Sequence, residues 1–472
     1  MNLLTFCLLS CILCIEKKRL QYGGENMKFR KMLCGTLGLL AIVSLAACGG
    51  GDSKSESKAD SAKDLAKEAR VEKASIEVYV PQGKNTDYLK KSIELYNKKY
   101  STELELNPVD VAPAIPMVQK VTPKLVANEK MPDLIFLQDS NAGSVFDKFE
   151  DLFYSAEDFG FVKDYGKDFY SAKMNMLSNI APSKKVFGFP NDWGNASMFY
   201  NEEAFKTAGV DMKQIKTWDE LIEAGKKLKE KTGKKLLFMR DTGELDLVKY
   251  LTEQQGVSLF DKDGNLNLLD PAVKHSYEII KKLQDEDLVA YGNSKDYTVI
   301  GQDCGIILAG GWLASYQASD YPDDEGKWRI GAIPAVDEDN NYSPMSGGSS
   351  YYVPKNSENA LAALQFITFA LTDKEALDAY MELSGLPANT TAYTSEVAQK
   401  EFPYYGNQKI LLTLDEISQN SIEGYAFPYS ADLDNYIEAA SYDIKNNGVS
   451  VDDALKKQAD DFASKYGVKV NE

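Results

Sequence analysis

Cysteine and histidine are scarce in this 472-residue chain, which contains six cysteines and one histidine. Five of the cysteines lie within the first 48 residues, so only Cys304 remains in the rest of the chain. A single cysteine supports no disulfide framework. Cys304 and the one histidine, His275, are also too few to supply the ligands of a zinc site. A Ser-His-Asp or Cys-His mechanism would have to use His275, which we expect to be exposed on a helix. The sequence therefore predicts no transition-metal site and no cofactor, and Cys304 is predicted to pack in a buried strand.

The chain contains fewer basic residues than acidic residues. The chain has 53 Lys and Arg against 71 Asp and Glu, a net charge of −18. An acidic protein of this size repels nucleic acid and anionic lipid, so we exclude a nucleic-acid partner. The acidic residues are spread along the chain, and we interpret the excess as solubilising surface charge.

The uncharged run 32–47 is shorter than the roughly 20 residues that a membrane-spanning helix needs. Lys28, Arg30 and Lys31 precede this run, and Leu45-Ala46-Ala47-Cys48 ends it. Basic residues, an apolar run and small residues, in that order, are typical of a secretory signal peptide. We predict that residues 1–47 are removed. Met27 opens a well-formed signal peptide of its own, so we hypothesise that residues 1–26 are translated upstream sequence.

The end of the signal segment resembles the lipobox of bacterial lipoproteins. In that motif the cysteine, here Cys48, takes a diacylglycerol on its sulfur and becomes the new N-terminus. The resemblance implies a lipid anchor at the extracytoplasmic face of the cell membrane, and two or three acyl chains are enough for stable anchoring. Residues 48–74 are rich in Gly, Ser, Lys, Asp and Glu, and we predict that they form the lipidated cysteine and a flexible linker.

Strand and helix patterns alternate along the remaining chain. Ile76–Val80 alternates apolar and polar residues, and Leu134–Leu137 is a continuous apolar strand. Helical patterns separate the strands, and this order predicts parallel sheets with crossover helices. About 400 residues follow the linker, which is enough for two lobes. We assign Trp218, at a helix start, and Trp328, at a strand start, to the core.

Several segments together resemble one family. They are Pro132–Phe136, Tyr200–Phe205 with Ala208–Val210, Thr217–Leu221, Gly310–Trp312, Ile333–Pro334, Gly347–Gly348 before Tyr352–Lys355, and Gly385–Pro387. Their types and order resemble the extracellular solute-binding proteins of ABC importers, in the carbohydrate-binding group that includes maltose-binding proteins. The resemblance extends over about residues 75–470.

The resemblance implies an α/β fold of two lobes, the type II periplasmic-binding-protein-like fold, in which each lobe is a sheet flanked by helices. Residues 75–188 plus 345–383 would form lobe 1, and residues 189–344 plus 384–472 would form lobe 2, joined by a multi-strand hinge. Ligand would bind between the lobes, whose closure is a hinge motion. We expect a monomeric, non-enzymatic protein that delivers a carbohydrate to the permease subunits of an ABC transporter.

Sugars stack their C–H faces on aromatic rings and bind their hydroxyls to carboxylates, amides and guanidinium groups. Such side chains belong at the carboxyl ends of strands, where open α/β sheets bind ligands. We select candidate residues from four places in the predicted fold. These are the first strand–helix loop, the end of the strand that begins at Leu134, the polar crossover 192–195, and the residue after the Gly-Gly-Ser-Ser segment 347–350. These candidates are Gln82, Asn85, Asp139, Asp192, Trp193, Asn195 and Tyr351.

The resemblance adds five further candidates. Trp312 follows a strand and two glycines and matches the stacking tryptophan that is common in the family. Arg240 and Asp241 follow a strand where the family often has a polar ligand contact, and Tyr429 and Asp432 match the last cleft-forming segment.

Other functions remain open from the sequence. The same fold could bind a non-sugar solute such as a polyamine, a phosphate ester or a peptide. A secreted glycoside hydrolase is less favoured, because paired carboxylates are present but form no cluster in the sequence. A surface adhesin would not require the hinge-like segments.

Overall fold

The computed structural model describes residues 62–240, 245–292, 303–336 and 341–471. The predicted signal peptide, Cys48 and Asp241 lie outside these ranges. No helix within them is both long enough and apolar enough to cross a bilayer.

The strands are β1 Lys73–Val80, β2 Glu103–Asp110, β3 Leu134–Gln138, β4 Phe153–Tyr154, β5 Phe189–Asn201, β6 Lys235–Arg240, β7 Val289–Gly292, β8 Cys304–Gly310, β9 Trp328–Gly331 and β10 Met345–Pro354. The helices are α1 Ala62–Leu65, α2 Lys84–Tyr100, α3 Ile115–Val126, α4 Asp139–Phe149, α5 Phe161–Tyr165, α6 Ser171–Ile180, α7 Glu202–Thr207, α8 Trp218–Thr232, α9 Leu245–Gln254, α10 Pro271–Asp285, α11 Leu313–Asp320, α12 Ala360–Thr372, α13 Lys374–Glu382, α14 Ile410–Gln419, α15 Ser430–Asn447 and α16 Val451–Tyr466.

Two groups of parallel strands are joined by two long antiparallel strands. The order across the sheet is β2-β1-β3-β10-β5-β8-β6-β7, with β4 beside β10 and β9 beside β5. β1 is parallel to β2 and β3, and β6 is parallel to β7 and β8. β5 and β10 pair with each other and are antiparallel to their outer neighbours. These two strands are therefore the connection between the two groups.

The buried apolar residues form two main cores, and the first of them also includes Ile307 and Ala309 of β8. The first contains Tyr88, Phe136 and Tyr351. The second contains Leu221 and Phe462. The predicted architecture of helix-flanked sheets is present. Residues 386–414, which the sequence assigns to lobe 2, also contribute side chains to the first core. The lobe boundaries therefore stay a prediction.

Local signals in the sequence are reproduced. The Thr217 hydroxyl accepts a hydrogen bond from the Glu220 amide, and the Glu220 carboxylate accepts one from the Thr217 amide, which forms a capping box at the start of α8. Gly448 has φ of 66° and ends α15 before α16 begins. Trp218 and Trp328 are buried, as expected.

Residues 62–72, the described part of the predicted linker before β1, lie against the first core. Arg70 donates to the Tyr96 hydroxyl at 2.9 Å, and its guanidinium carbon lies 3.4 Å from the centroid of the Tyr100 ring. The Val71 amide donates to Gln365 Oε1 at 3.0 Å. Sequence reasoning missed these contacts because the segment has few apolar residues and no periodic pattern.

Candidate functional site

The carboxyl ends of the two strand groups lie on either side of a short segment of β5. This segment, residues 192–196, is called the β5 step below. Ser349 of β10 pairs with both Gln138, the last residue of β3, and Asp192 of β5. Gly310, the last residue of β8, pairs with Ala196 of β5. Residues 192–196 therefore lie between the two carboxyl edges. Open α/β sheets bind ligands at such edges, so this region is the candidate cleft.

Trp312 lies at the β8 side of this step. A Cβ on Gly310 would lie 2.6 Å from the Ser346 carbonyl oxygen and 2.7 Å from Trp312 Nε1, so only glycine fits beside the indole. The Trp312 side chain is nevertheless 36% exposed. Ser346 in turn hydrogen-bonds the Tyr250 hydroxyl at 2.7 Å. The indole is therefore held over the end of β8, next to β10, and is open to solvent.

Asp192, the loop after β1 and the first turn of α2 form a polar group on the β3 side. Asp192 Oδ1 accepts from the Ser349 amide and hydroxyl, each at 2.7 Å. The Tyr380 hydroxyl donates to Asp192 Oδ2 at 3.4 Å and to Asn85 Oδ1 at 3.5 Å. Gln82 is exposed in the same loop. The structure therefore brings Asn85 and Asp192 together.

Lys84 belongs to this polar group and was missed by the sequence reasoning. It is half-buried, and its ammonium has no hydrogen bond or ion pair to the described part of the chain. Burial lowers the pKa of Lys84, and the Asp192 carboxylate opposes that shift. A signal was available, because Lys84 lies between Gln82 and Asn85 in the loop that the sequence had already selected.

Trp193 and Asn195 are buried in a hinge network. Trp193 Nε1 donates to Ser421 Oγ at 3.0 Å, and Ser421 Oγ donates to Asn195 Oδ1 at 2.8 Å. Asn195 Nδ2 donates to the Ser343 carbonyl at 2.8 Å. Trp193 is 1% exposed and Asn195 is 2% exposed. Both side chains thus contact protein in this conformation, and ligand contact by either stays a prediction.

Asp139 lies beneath the crossing strands in an ion pair with Lys173. Both side chains are buried, and Lys173 Nζ also donates to the Ser349 carbonyl at 2.9 Å. Ser350 Oγ donates to Asp139 Oδ1 at 2.8 Å. Burial raises the pKa of Asp139, and the neighbouring Lys173 partly offsets the rise. No sequence signal marked Lys173, since one lysine in a short amphipathic helix is expected at the surface.

Of the other described candidates, Tyr351 packs into a core, and Arg240, Tyr429 and Asp432 bind protein groups outside residues 192–196. Tyr351 is fully buried in the first core, and burial raises the pKa of its hydroxyl well above the usual range. Arg240 pairs with Asp246 at 2.6 Å. Tyr429 donates to the Gly264 carbonyl at 2.9 Å, and Asp432 is exposed and accepts from the Tyr466 hydroxyl.

Two helix-flanked strand groups, linked by crossing strands beside the candidate cleft, define a two-lobe solute-binding fold. Residues 81–377 match the profile of the family described as bacterial extracellular solute-binding protein, and the chain belongs to this family. The family assignment and the type II fold that the sequence predicted are confirmed. The family is extracellular, so the protein functions outside the cytoplasm.

Curated relatives are binding proteins. The chain is 26% identical over 394 residues to a lactose-binding protein of Rhizobium radiobacter, covering 80% of this chain and 90% of the relative. It is 28% identical over 301 residues to an arabinooligosaccharide-binding protein of Bacillus subtilis, covering 62% and 68% respectively.

Solved structures share the fold. The galacto-N-biose/lacto-N-biose I-binding protein of Bifidobacterium longum superposes with a TM-score of 0.70 at 18% identity, covering 85% of this chain and all of that one. An ABC-transporter-associated binding protein of B. animalis subsp. lactis, solved with β-1,6-galactobiose, gives a TM-score of 0.67 at 24% identity, covering 84% and 99%.

Proposed function

We propose that this protein captures a carbohydrate between its lobes and delivers it to the permease of an ABC importer, while a lipid on Cys48 anchors it to the cell membrane. The observation that carries the proposal is the solvent-open indole of Trp312, held against Gly310 at the carboxyl edge of β8. An indole face offers the apolar surface on which a sugar ring stacks.

The opposite side of the β5 step supplies the polar groups that a sugar needs. Lys84, Asn85 and Asp192 offer an ammonium, an amide and a carboxylate near the carboxyl edge of β3. Hydroxyls bind well to charged donors and acceptors. The names of the relatives, which bind lactose and arabinooligosaccharides, favour a sugar ligand. We therefore expect one lobe to supply the stacking face and the other the hydrogen bonds.

A phosphate ester is the second candidate, and Lys84 is the observation that favours it. The half-buried Lys84 ammonium, which has no hydrogen bond or ion pair to the described residues, can bind a phosphate oxygen. Other relatives are named sn-glycerol-3-phosphate-binding proteins, for example in Brucella melitensis, at 23% identity over 237 residues. That match covers 47% of this chain and 53% of the relative, so it supports the proposal less than the sugar-binding matches do.

Hydrolysis is not proposed. A glycosidase needs a carboxylic acid and a carboxylate on either side of the scissile bond. Asp139 and Asp192 at the β5 step already have partners, since Asp139 pairs with Lys173 and Asp192 accepts from Ser349. The Glu253 carboxylate, close to the same step, accepts from the Met345 amide. The relatives compared above are binding proteins rather than enzymes.

A thermal-shift screen of the chain from residue 49 onward tests the proposal, because this part contains every described residue. The panel contains arabinose, galactose, lactose, β-1,6-galactobiose, arabinooligosaccharides, maltose, glycerol 3-phosphate and spermidine. A ligand at a hundred times its Kd stabilises the folded state by about 2.7 kcal/mol. We expect a sugar to raise the midpoint, and a shift from glycerol 3-phosphate alone would favour the second candidate.

Matched variants locate the site. Trp312→Ala should abolish the sugar-dependent shift, while Tyr442→Ala, an exposed aromatic residue on α15, should leave it unchanged. An undiminished shift in Trp312→Ala would contradict the placement of the sugar at this indole.

A further inference from the structure

Helix α11 continues the exposed aromatic surface that begins at Trp312. The helix buries Leu313, Ala314 and Gln317, and it exposes the face that carries Tyr316. Tyr316 is 54% exposed, and its ring centroid lies 6.2 Å from that of Trp312. Positions four apart lie on one face of a helix. The two rings therefore form a continuous apolar surface that starts at the cleft and runs along α11.

The buried face of α11 is fixed, so the position of Tyr316 is defined before any ligand arrives. The Tyr405 hydroxyl donates to the Ala314 carbonyl and to Gln317 Oε1, each at 3.0 Å. Leu313 and Ala314 pack into the first core. A ring held on a rigid element loses little conformational freedom on binding.

The pairing of these two rings sets them apart from the other exposed aromatic residues. Tyr291, Tyr342 and Tyr442 are also exposed. Among the described residues, Trp312 and Tyr316 are the only two of these exposed rings that contact each other. The Tyr316 hydroxyl has no hydrogen-bond partner within the described ranges and is free to bind a ligand hydroxyl.

We infer that Tyr316 forms a second stacking subsite beside Trp312 and that the cleft therefore selects oligosaccharides of two or more units over monosaccharides. This inference rests on the proposed carbohydrate-binding function. Four helical residues rise about 6 Å, a length comparable to one sugar unit. The two ring planes meet at 71°, so the surface suits a chain that turns between its first and second units.

Isothermal titration of the chain from residue 49 onward tests the inference, with three probe series: arabinose to arabinotriose, galactose to lactose, and glucose to maltotriose. We expect tighter binding of the disaccharide and trisaccharide than of the monosaccharide in the series that binds. Tyr316→Ala should raise the Kd for these longer sugars about three- to tenfold, the range of one aromatic contact, and should leave monosaccharide binding unchanged.

Controls separate the possible results. Tyr316→Phe keeps the ring and should restore most of the affinity, and Tyr442→Ala should behave as wild type. An equal effect of Tyr316→Ala on monosaccharides and oligosaccharides, or no effect, overturns the second subsite while leaving the proposed function intact. Absence of binding to every sugar by the wild-type protein overturns the proposed function and this inference with it.

Discussion

Replacing Lys173 by Met leaves the Asp139 carboxylate buried without its cation. Both side chains are buried, and Lys173 also donates to the Ser349 carbonyl of β10. Breaking a buried ion pair by removing one partner costs about 3–5 kcal/mol, because the remaining charge is desolvated and unpaired. We expect Lys173→Met to lower the free energy of unfolding by an amount in this range at pH 8, measured by urea denaturation followed by circular dichroism.

The loss of stability caused by Lys173→Met should depend on pH in a defined direction. Burial raises the pKa of Asp139 even beside Lys173, and loss of the ammonium removes a group that lowers it. The carboxyl of the Lys173→Met variant therefore takes up a proton at a higher pH, and the neutral acid tolerates burial. For a group whose pKa is raised by folding, the protonated form stabilises the fold at low pH, and this contribution is lost as the pH rises. The destabilisation should be smaller at pH 5 than at pH 8.

Two further variants make the reasoning refutable. Asp139→Asn in the Lys173→Met background removes the orphaned charge and keeps an acceptor for Ser350, so at least half of the lost stability should return. Lys73→Met breaks an exposed ion pair to Glu103 and should cost no more than about 1 kcal/mol. The argument is wrong if Lys173→Met costs no more than Lys73→Met, or if the double variant is the least stable of the set.

Burial raises the pKa of Glu253 to about 7, so the stability that its protonated carboxyl contributes is lost as the pH rises from about 4.5 through 7. Glu253→Gln keeps an acceptor for the Met345 amide and should be more stable than wild type at pH 8 by at most about 3 kcal/mol. Urea titrations should show that this gain vanishes near pH 4.5. Gly310→Ala puts a Cβ 2.6 Å from a carbonyl oxygen of β10 and should weaken ligand binding at least tenfold in calorimetry. In the control Gly331→Ala, the nearest atom lies 3.9 Å from the added Cβ, so this variant should bind ligand normally. Cys48→Ser should move the protein from the membrane fraction to the soluble fraction in cell fractionation, and retention in the membrane would contradict lipid anchoring.

Parts of the fold that depend on neighbouring residues were predictable. The strand at Ile76–Val80, the capping box at Thr217 and the helix break at Gly448 each follow from side chains within a few positions, and the structure contains all three. The position of Trp312 after Gly310 was also readable, because the glycines mark a close approach at the end of a strand.

The sequence identified the segment around Asp192 only as a polar crossover, because Asp, Gly and Asn interrupt the apolar residues. In the structure this segment belongs to β5, which extends from Phe189 to Asn201. Pairing with β10 on one side and with β8 further along holds this segment extended. Partners distant in sequence supply those hydrogen bonds, so their effect is invisible in any short window.

The sequence by itself determined the family, the alternation of strands and helices, and the segments in which candidate ligand-binding side chains lie. Only the tertiary structure decided which of those side chains are open to solvent: Trp312 is exposed, whereas Trp193 and Asp139 are buried with Ser421 and Lys173 as partners. The physical reason is that burial and pairing depend on contacts between distant segments. Residue type and local spacing, which the sequence does contain, specify only what a side chain is able to bind.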